Sequence, residues 1–234
     1  MTALGSETLA LGAGRGPGRR RVMSYRALAE TIAARPPEGR LATRVIAVDG
    51  YSGAGKSFFA RRLAADLGAE FINTDDLMPG WSGLAGSLAL LAEWVLEPIT
   101  AGDTARWHRY DWEQLRYREW VELGPCHALV VDGCAVGHRS LAPYLSLLVW
   151  VSAPATLRAK RLAQRFDWEM YEPHAAMWAA QESSLRSGDD VTTLADLIVD
   201  NGLTELAGVA RFDPEKEFVY WENGRGQARV RTLI

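Results

Sequence analysis

Residues Gly50-Tyr-Ser-Gly-Ala-Gly-Lys-Ser57 lie between the apolar run Val45–Val48 and a helical pattern from Lys56 to Leu67. An eight-residue loop with three glycines has almost no side chains where it turns, so its backbone must come close to something. The pattern G-x-x-x-x-G-K-[ST] between a strand and a helix has a mechanism: successive N–H groups wrap phosphate oxygens, and the helix start adds the positive end of its dipole. The loop residues Gly50, Ser52, Gly53, Ala54, Gly55, Lys56 and Ser57, with Phe58 behind them, are therefore expected to hold a nucleoside triphosphate. Lys56 should reach the β- and γ-phosphates, and the Ser57 hydroxyl should bind Mg²⁺.

Such a loop needs a buried strand to deliver it, and the chain has four more runs of the same character: Glu70–Ile72, Ala128–Val131, Leu147–Val151 and Leu197–Val199. Strands apolar on both faces belong in the middle of a parallel sheet. Helical patterns alternate with them, over Lys56–Leu67, Gly83–Leu96, Trp112–Val121, Ala155–Arg165 and Glu172–Leu185. This predicts an α/β fold of three layers, a mainly parallel five-stranded sheet flanked by helices. Residues 23–210 form the expected domain. Residues 1–22, rich in Gly and Arg, read as a disordered extension. Residues 211–234 carry two alternating runs around Asn223-Gly224, a hairpin appendage that offers a surface for a homo-oligomer.

Net charge is −3 over 234 residues, which argues against a nucleic-acid partner. The longest apolar stretch, Leu84–Leu96, is broken by Ser87 and Glu93 and is too short to cross a membrane. The two cysteines, Cys126 and Cys134, lack a metal-type spacing. With no run of signal-peptide character, a cytoplasmic location is expected.

The acceptor side is less sharply written. In a doubly wound sheet the loops at strand carboxyl ends line the ligand crevice. Asp75 and Asp76 follow the second strand there. Asp75 is placed to take the proton of an attacking hydroxyl and to help hold Mg²⁺, with Asp76 either on the substrate or capping the next helix. Asp132 ends the third strand, where a carboxylate supports the metal, unless it merely forms an Asp-Gly turn. Trp81, Tyr110, Asp111 and Arg116 are candidates for substrate contact, in a region whose Trp residues otherwise read as core. Arg161 and Arg165 lie on a basic helix after the fourth strand, as in a lid that neutralises the transferring phosphoryl group while excluding water. No guanine-reading Asn-Lys-x-Asp occurs, which argues against a GTPase, and the chain has the size of a small-molecule kinase, expected to use ATP and a hydroxyl acceptor.

Taken together, the segments resemble the uridine kinase family of P-loop kinases, from about Val45 to Asn201. "VDGYSGAGKS" is similar to that family's phosphate loop, "NTDDL" to its Asp-containing loop, "RYDW" to its Tyr-Asp substrate motif, "RLAQRFD" to its lid helix and "ADLIVDN" to its last strand. The resemblance implies Asp75 as catalytic base and a nucleoside as acceptor. The chain departs from the family where Asp132-Gly133 replaces Glu-Gly and where Arg116 stands near an expected histidine. A kinase for a non-nucleoside alcohol and a non-catalytic ATP-binding module stay open as alternatives.

Overall fold

Strand β2 (Arg44–Asp49) explains the architecture: Val45, Ile46, Ala47 and Val48 are all fully buried, so the strand needs a layer on each face. The computed structural model describes residues 18–34, 42–187, 191–202 and 213–223. β2 lies between β6 (Ala128–Asp132) and β7 (Leu147–Ser152), parallel to both, with Val45 opposite Leu129 and Val48 opposite Val149. Outside them, also parallel, run β3 (Glu70–Asn73) beside β6 and β8 (Leu197–Asp200) beside β7. All five expected strands are present. The chain leaves β2 for the far side of β6 and later fills the β7 side, so a crevice opens at the carboxyl end of β2.

Alternate residues serve opposite layers. Ile46, Val48, Val130 and Val149 pack under α1 (Tyr25–Ala33) and α2 (Lys56–Leu67), against Leu28, Ile32, Phe59 and Leu63. Val45, Ala47, Leu129 and Val131 pack under Leu88, Leu91, Val95 and Ile99. Those four lie on a continuous 18-residue helical run, Leu84–Ala101, made of α3 (Leu84–Leu91), a π-helical turn (Ala92–Leu96) and α4 (Glu97–Ala101). The run extends past the expected end at Leu96 and is long and apolar enough to cross a membrane. Its apolar stripe of Leu88, Leu91, Val95 and Ile99 is buried against the sheet, as in the core helix of a folded domain.

Three expectations are corrected. The segment expected as a helix over Trp112–Val121 is a β-hairpin, β4 (Ala105–Asp111) and β5 (Arg116–Leu123), paired from Ala105↔Leu123 to Asp111↔Arg116. Ala105, Trp107 and Tyr110 turn inward, and Asp111 Oδ1 accepts from the N–H groups of Glu113 and Gln114, closing an Asx-type turn. Period-two burial and turn chemistry override the helix-forming Glu, Gln, Leu and Arg residues. Residues 18–22, assigned to the disordered extension, belong to β1 (Gly18–Ser24); residues 1–17 lie outside the described residues.

The third correction concerns the tail. β9 (Glu217–Asn223) is no appendage: it joins the main sheet antiparallel to both β8 and β1, making seven strands. Phe218 and Tyr220 enter the α1–α2 layer and are buried because α1 and α2 leave an apolar face there. The second run of the expected hairpin, after Asn223, lies outside the described residues.

After β7 the chain forms α5 (Ala155–Ala163), α6 (Trp168–Tyr171), α7 (Ala175–Arg186) and α8 (Val191–Leu194). α5 lies against the loop that follows β2, and α6 and α7 cover Trp81.

Candidate active site

The loop begins at Asp49, which is fully buried. Its Oδ1 accepts from Gly50 N at 2.6 Å and Ala135 N at 3.0 Å, and its Oδ2 from Gly137 N at 2.9 Å. Arg186 of α7 adds an ion pair at 3.1 Å. This carboxylate ties the ends of β2 and β6 together and sets the direction in which the loop leaves the sheet.

Two glycines are required by close approach as well as by conformation. Gly53 and Gly55 have φ of +77° and +95°. A Cβ at Gly53 would stand 2.6 Å from the Arg158 carbonyl oxygen, and one at Gly55 would stand 2.1 Å from Asn201 Nδ2. The outer side of the loop is fastened by Asn201 Nδ2, which donates to Ala54 O at 2.7 Å, and by Arg161, which donates to Ala54 O at 3.4 Å and Asn201 O at 3.0 Å. α2 then starts at Lys56, with first-turn N–H groups that have no partner inside the helix.

Lys56 is buried. Its Nζ donates to Tyr51 O at 3.2 Å and to Cys134 Sγ at 3.3 Å. Burial by itself would lower its pKa, but Cys134, Asp132, Glu182 and Asp49 around it outweigh this and hold it above the usual lysine value. The loop therefore keeps a charged ammonium at its centre.

Two carboxyl groups converge on this lysine from neighbouring strand ends. Asp132, at the end of β6, is 1% exposed; Oδ2 accepts from Asn73 Nδ2 at 3.2 Å, and Oδ1 is buried with no hydrogen-bond partner. Burial pushes its pKa up to about 6, with Lys56 and Ser57 pulling the other way. Asp75 lies just past β3 in a 3₁₀ turn, where Asn73 Oδ1 accepts from its N–H at 2.8 Å. It stays open to solvent at the crevice mouth, while the protein around it raises its pKa by desolvation, opposed by Lys56 and Arg165. Asp76 points elsewhere, towards Arg109 of β4 at 3.7 Å, and its pKa is raised by burial.

The unpartnered oxygen of Asp132, beside Ser57 and Lys56, is the feature that fits Mg²⁺. Magnesium takes one or two protein ligands and completes its shell with water and phosphate oxygens. Among the described residues no cluster of three or more His, Cys, Asp or Glu side chains is suited to a metal. An ion held here would therefore depend on the phosphates themselves.

The remaining candidates are dispersed. Trp81 packs among Trp112 (4.7 Å between ring centroids), His174 (4.4 Å, stacked), Tyr171 and Trp178, beneath α6 and α7. Tyr110 is buried beside Trp112, with its hydroxyl close to Gly80. Asp111 and Arg116 are not in this cluster: both are engaged within the hairpin turn, Asp111 with Arg118 at 3.2 Å and Arg116 with Gln114 at 2.6 Å. The backbone N–H of Gln114 is the main reason that the Asp111 pKa is lowered. Arg165 is paired with Asp167 and lies over the Tyr171 ring, with its charge felt at Asp75. Arg161 is spent on the loop's outer backbone. Phe58 lines a small cavity of about 70 Å³ with Gly55, Asn201, Tyr25 and Phe218.

Sequence reasoning missed Asp49, Cys134, Trp178, Glu182 and Arg186. The signal for three of them was present, because Trp178, Glu182 and Arg186 are spaced by four and share one helix face. Read locally, however, Glu182 and Arg186 look like an ordinary surface ion pair.

No family model matches the chain, and no curated protein matches it by sequence. Among solved structures, a possible uridine kinase from Bacillus stearothermophilus is similar at 18% identity and a TM-score of 0.47, covering 67% of this chain and 94% of that one. A sugar kinase from a Janibacter species is similar at 19% identity and a TM-score of 0.43, covering 68% and 86%.

Proposed function

We propose that the chain is an ATP- and Mg²⁺-dependent kinase that transfers the γ-phosphate to a hydroxyl of a small molecule, with a nucleoside as the first acceptor to test. The observation that carries this reading is the convergence of Asp75 and Asp132, from separate strand ends, on the lysine of a phosphate loop. A binding module needs the loop and its lysine. It does not need a solvent-open carboxyl with a raised pKa facing the place where a terminal phosphate would end.

Catalysis of phosphoryl transfer is mostly positioning and charge stabilisation. The loop N–H groups and Lys56 would hold the phosphates, and Ser57 with Asp132 would hold Mg²⁺, whose chemistry is to neutralise phosphate charge. Asp75 would accept the proton of the attacking hydroxyl, and a pKa moved upwards suits a base that must take a proton. Arg165, close enough for its charge to act on Asp75, would sit on the transferring side, whereas Arg161 braces the loop from behind. The aromatic cluster around Trp81 would wall off the acceptor from water.

ADP release should be measured with the full chain, ATP, Mg²⁺ and a panel of nucleosides, sugars and amino alcohols. Turnover with nucleosides alone is the expected result. Turnover with a sugar or amino alcohol would replace the acceptor, and release no faster than background with every acceptor would leave a nucleotide-binding module.

A further inference from the structure

Glu182, on α7, is 3% exposed, and one of its oxygens faces into the phosphate loop. Its Oε1 accepts from Ser52 N at 2.9 Å, from the Ser52 hydroxyl at 3.0 Å and from the Cys134 thiol at 2.9 Å. The same thiol sulfur accepts from Lys56 Nζ at 3.3 Å, so one atom separates Glu182 from the lysine expected on the β- and γ-phosphates. A loop built to collect anions thus has a carboxyl group of its own chain seated on it.

The contact is part of a clasp. Trp178, one turn earlier, donates to Ser52 Oγ at 3.0 Å; Arg186, one turn later, donates to Asp49 Oδ1 at 3.1 Å and Gly50 O at 3.3 Å. From the same helix, Gln181 holds the acceptor side: its Nε2 donates to Trp81 O at 2.7 Å, and its Oε1 accepts from Leu84 N at 3.3 Å. α7 therefore grips the phosphate loop and the Trp81 segment at once.

We propose that Glu182 competes internally with the terminal phosphate, capping Ser52 and Cys134 until a triphosphate displaces it and loosens α7, which carries the change through Gln181 to the acceptor segment. This rests on reading the loop as a triphosphate site. Two anions cannot share the same donors, so the carboxyl weakens triphosphate binding in proportion to how far the phosphate chain extends. A nucleotide that stops short of Ser52 leaves it undisturbed. Glu182 is a positioning residue, acting through Ser52 and α7.

The test is calorimetric binding of ATP, ADP and AMP, with Mg²⁺, to the full wild-type chain and to Glu182→Gln. Glutamine keeps an acceptor oxygen for Ser52 and removes the charge. Binding of ATP should tighten at least ten-fold, that of ADP less, and that of AMP not at all. Equal change for all three, or none while the wild type binds ATP, overturns the proposal and leaves the triphosphate reading intact. Failure of both proteins to bind any of the three overturns that reading and this proposal with it. Hydrogen exchange on the wild type needs no variant: ATP should raise exchange across residues 178–186, and unchanged or reduced exchange overturns the displacement.

Discussion

Asp132 shows what the site demands of individual residues. Burial takes its pKa from its ordinary 3.8 to about 6, so between those values the folded chain binds a proton that the unfolded chain does not. Its contribution to stability is therefore most favourable below about pH 4 and becomes unfavourable as pH rises through 6, by roughly 3 kcal/mol at pH 7. Asp132→Asn should raise the melting temperature at pH 7, with the difference closing as pH falls towards 4; equal melting at pH 7 would show that the buried carboxyl carries no such penalty. Asp75 shares the upward shift from desolvation, opposed by Lys56 and Arg165, but unlike Asp132 its side chain reaches solvent. Asp75→Asn should lower kcat by about 10²–10⁴-fold with little change in ATP affinity, read by steady-state kinetics and calorimetry. Near-normal turnover would remove it from the role of base.

Among the elements, β9 departs most from what its sequence suggests. Two alternating runs around Asn-Gly are a hairpin signal in isolation, yet the first run pairs with β8 and β1 inside the sheet. It also sends Phe218 against Tyr25 and Phe59, at 5.2 and 5.0 Å between ring centroids. Each fully buried side chain of this size contributes about 1.5–3 kcal/mol, against a whole-domain stability of about 5–15 kcal/mol. Phe218, Val219 and Tyr220 together are thus comparable to that margin. A chain ending at residue 212 should be unfolded or aggregated by circular dichroism and size-exclusion chromatography. A soluble truncation with the wild-type melting temperature would place β9 outside the domain. The β4–β5 hairpin teaches the same lesson: Glu, Gln, Leu and Arg suggest a helix, but the Asx turn at Asp111 and the inward Trp107 and Tyr110 decide for strands.

At the scale of the whole molecule, the sheet order brings together what the chain keeps apart. β2 is flanked by β6 and β7, so Lys56, Asp75, Asp132 and Cys134 meet at one crevice although they are up to 78 residues apart. The amino-acid sequence by itself determined the central strands and the tight glycine loop that carries β2 into α2. Continuous apolar runs and glycine spacing are local properties, and burial on two faces or close backbone approach is written into the residues that undergo it. Asp75 and Asp132 were legible for a related reason, because the end of a buried strand is a predictable place. Only the tertiary structure decided that Glu182 enters the loop, that Asp49 ties two strand ends, that Arg161 braces the loop from outside, and that Asp111 and Arg116 stay within their own turn. Those outcomes depend on which long polar side chains find partners across the fold, and a carboxyl group or guanidinium carries no local mark of whether it will face solvent or a loop more than a hundred residues away.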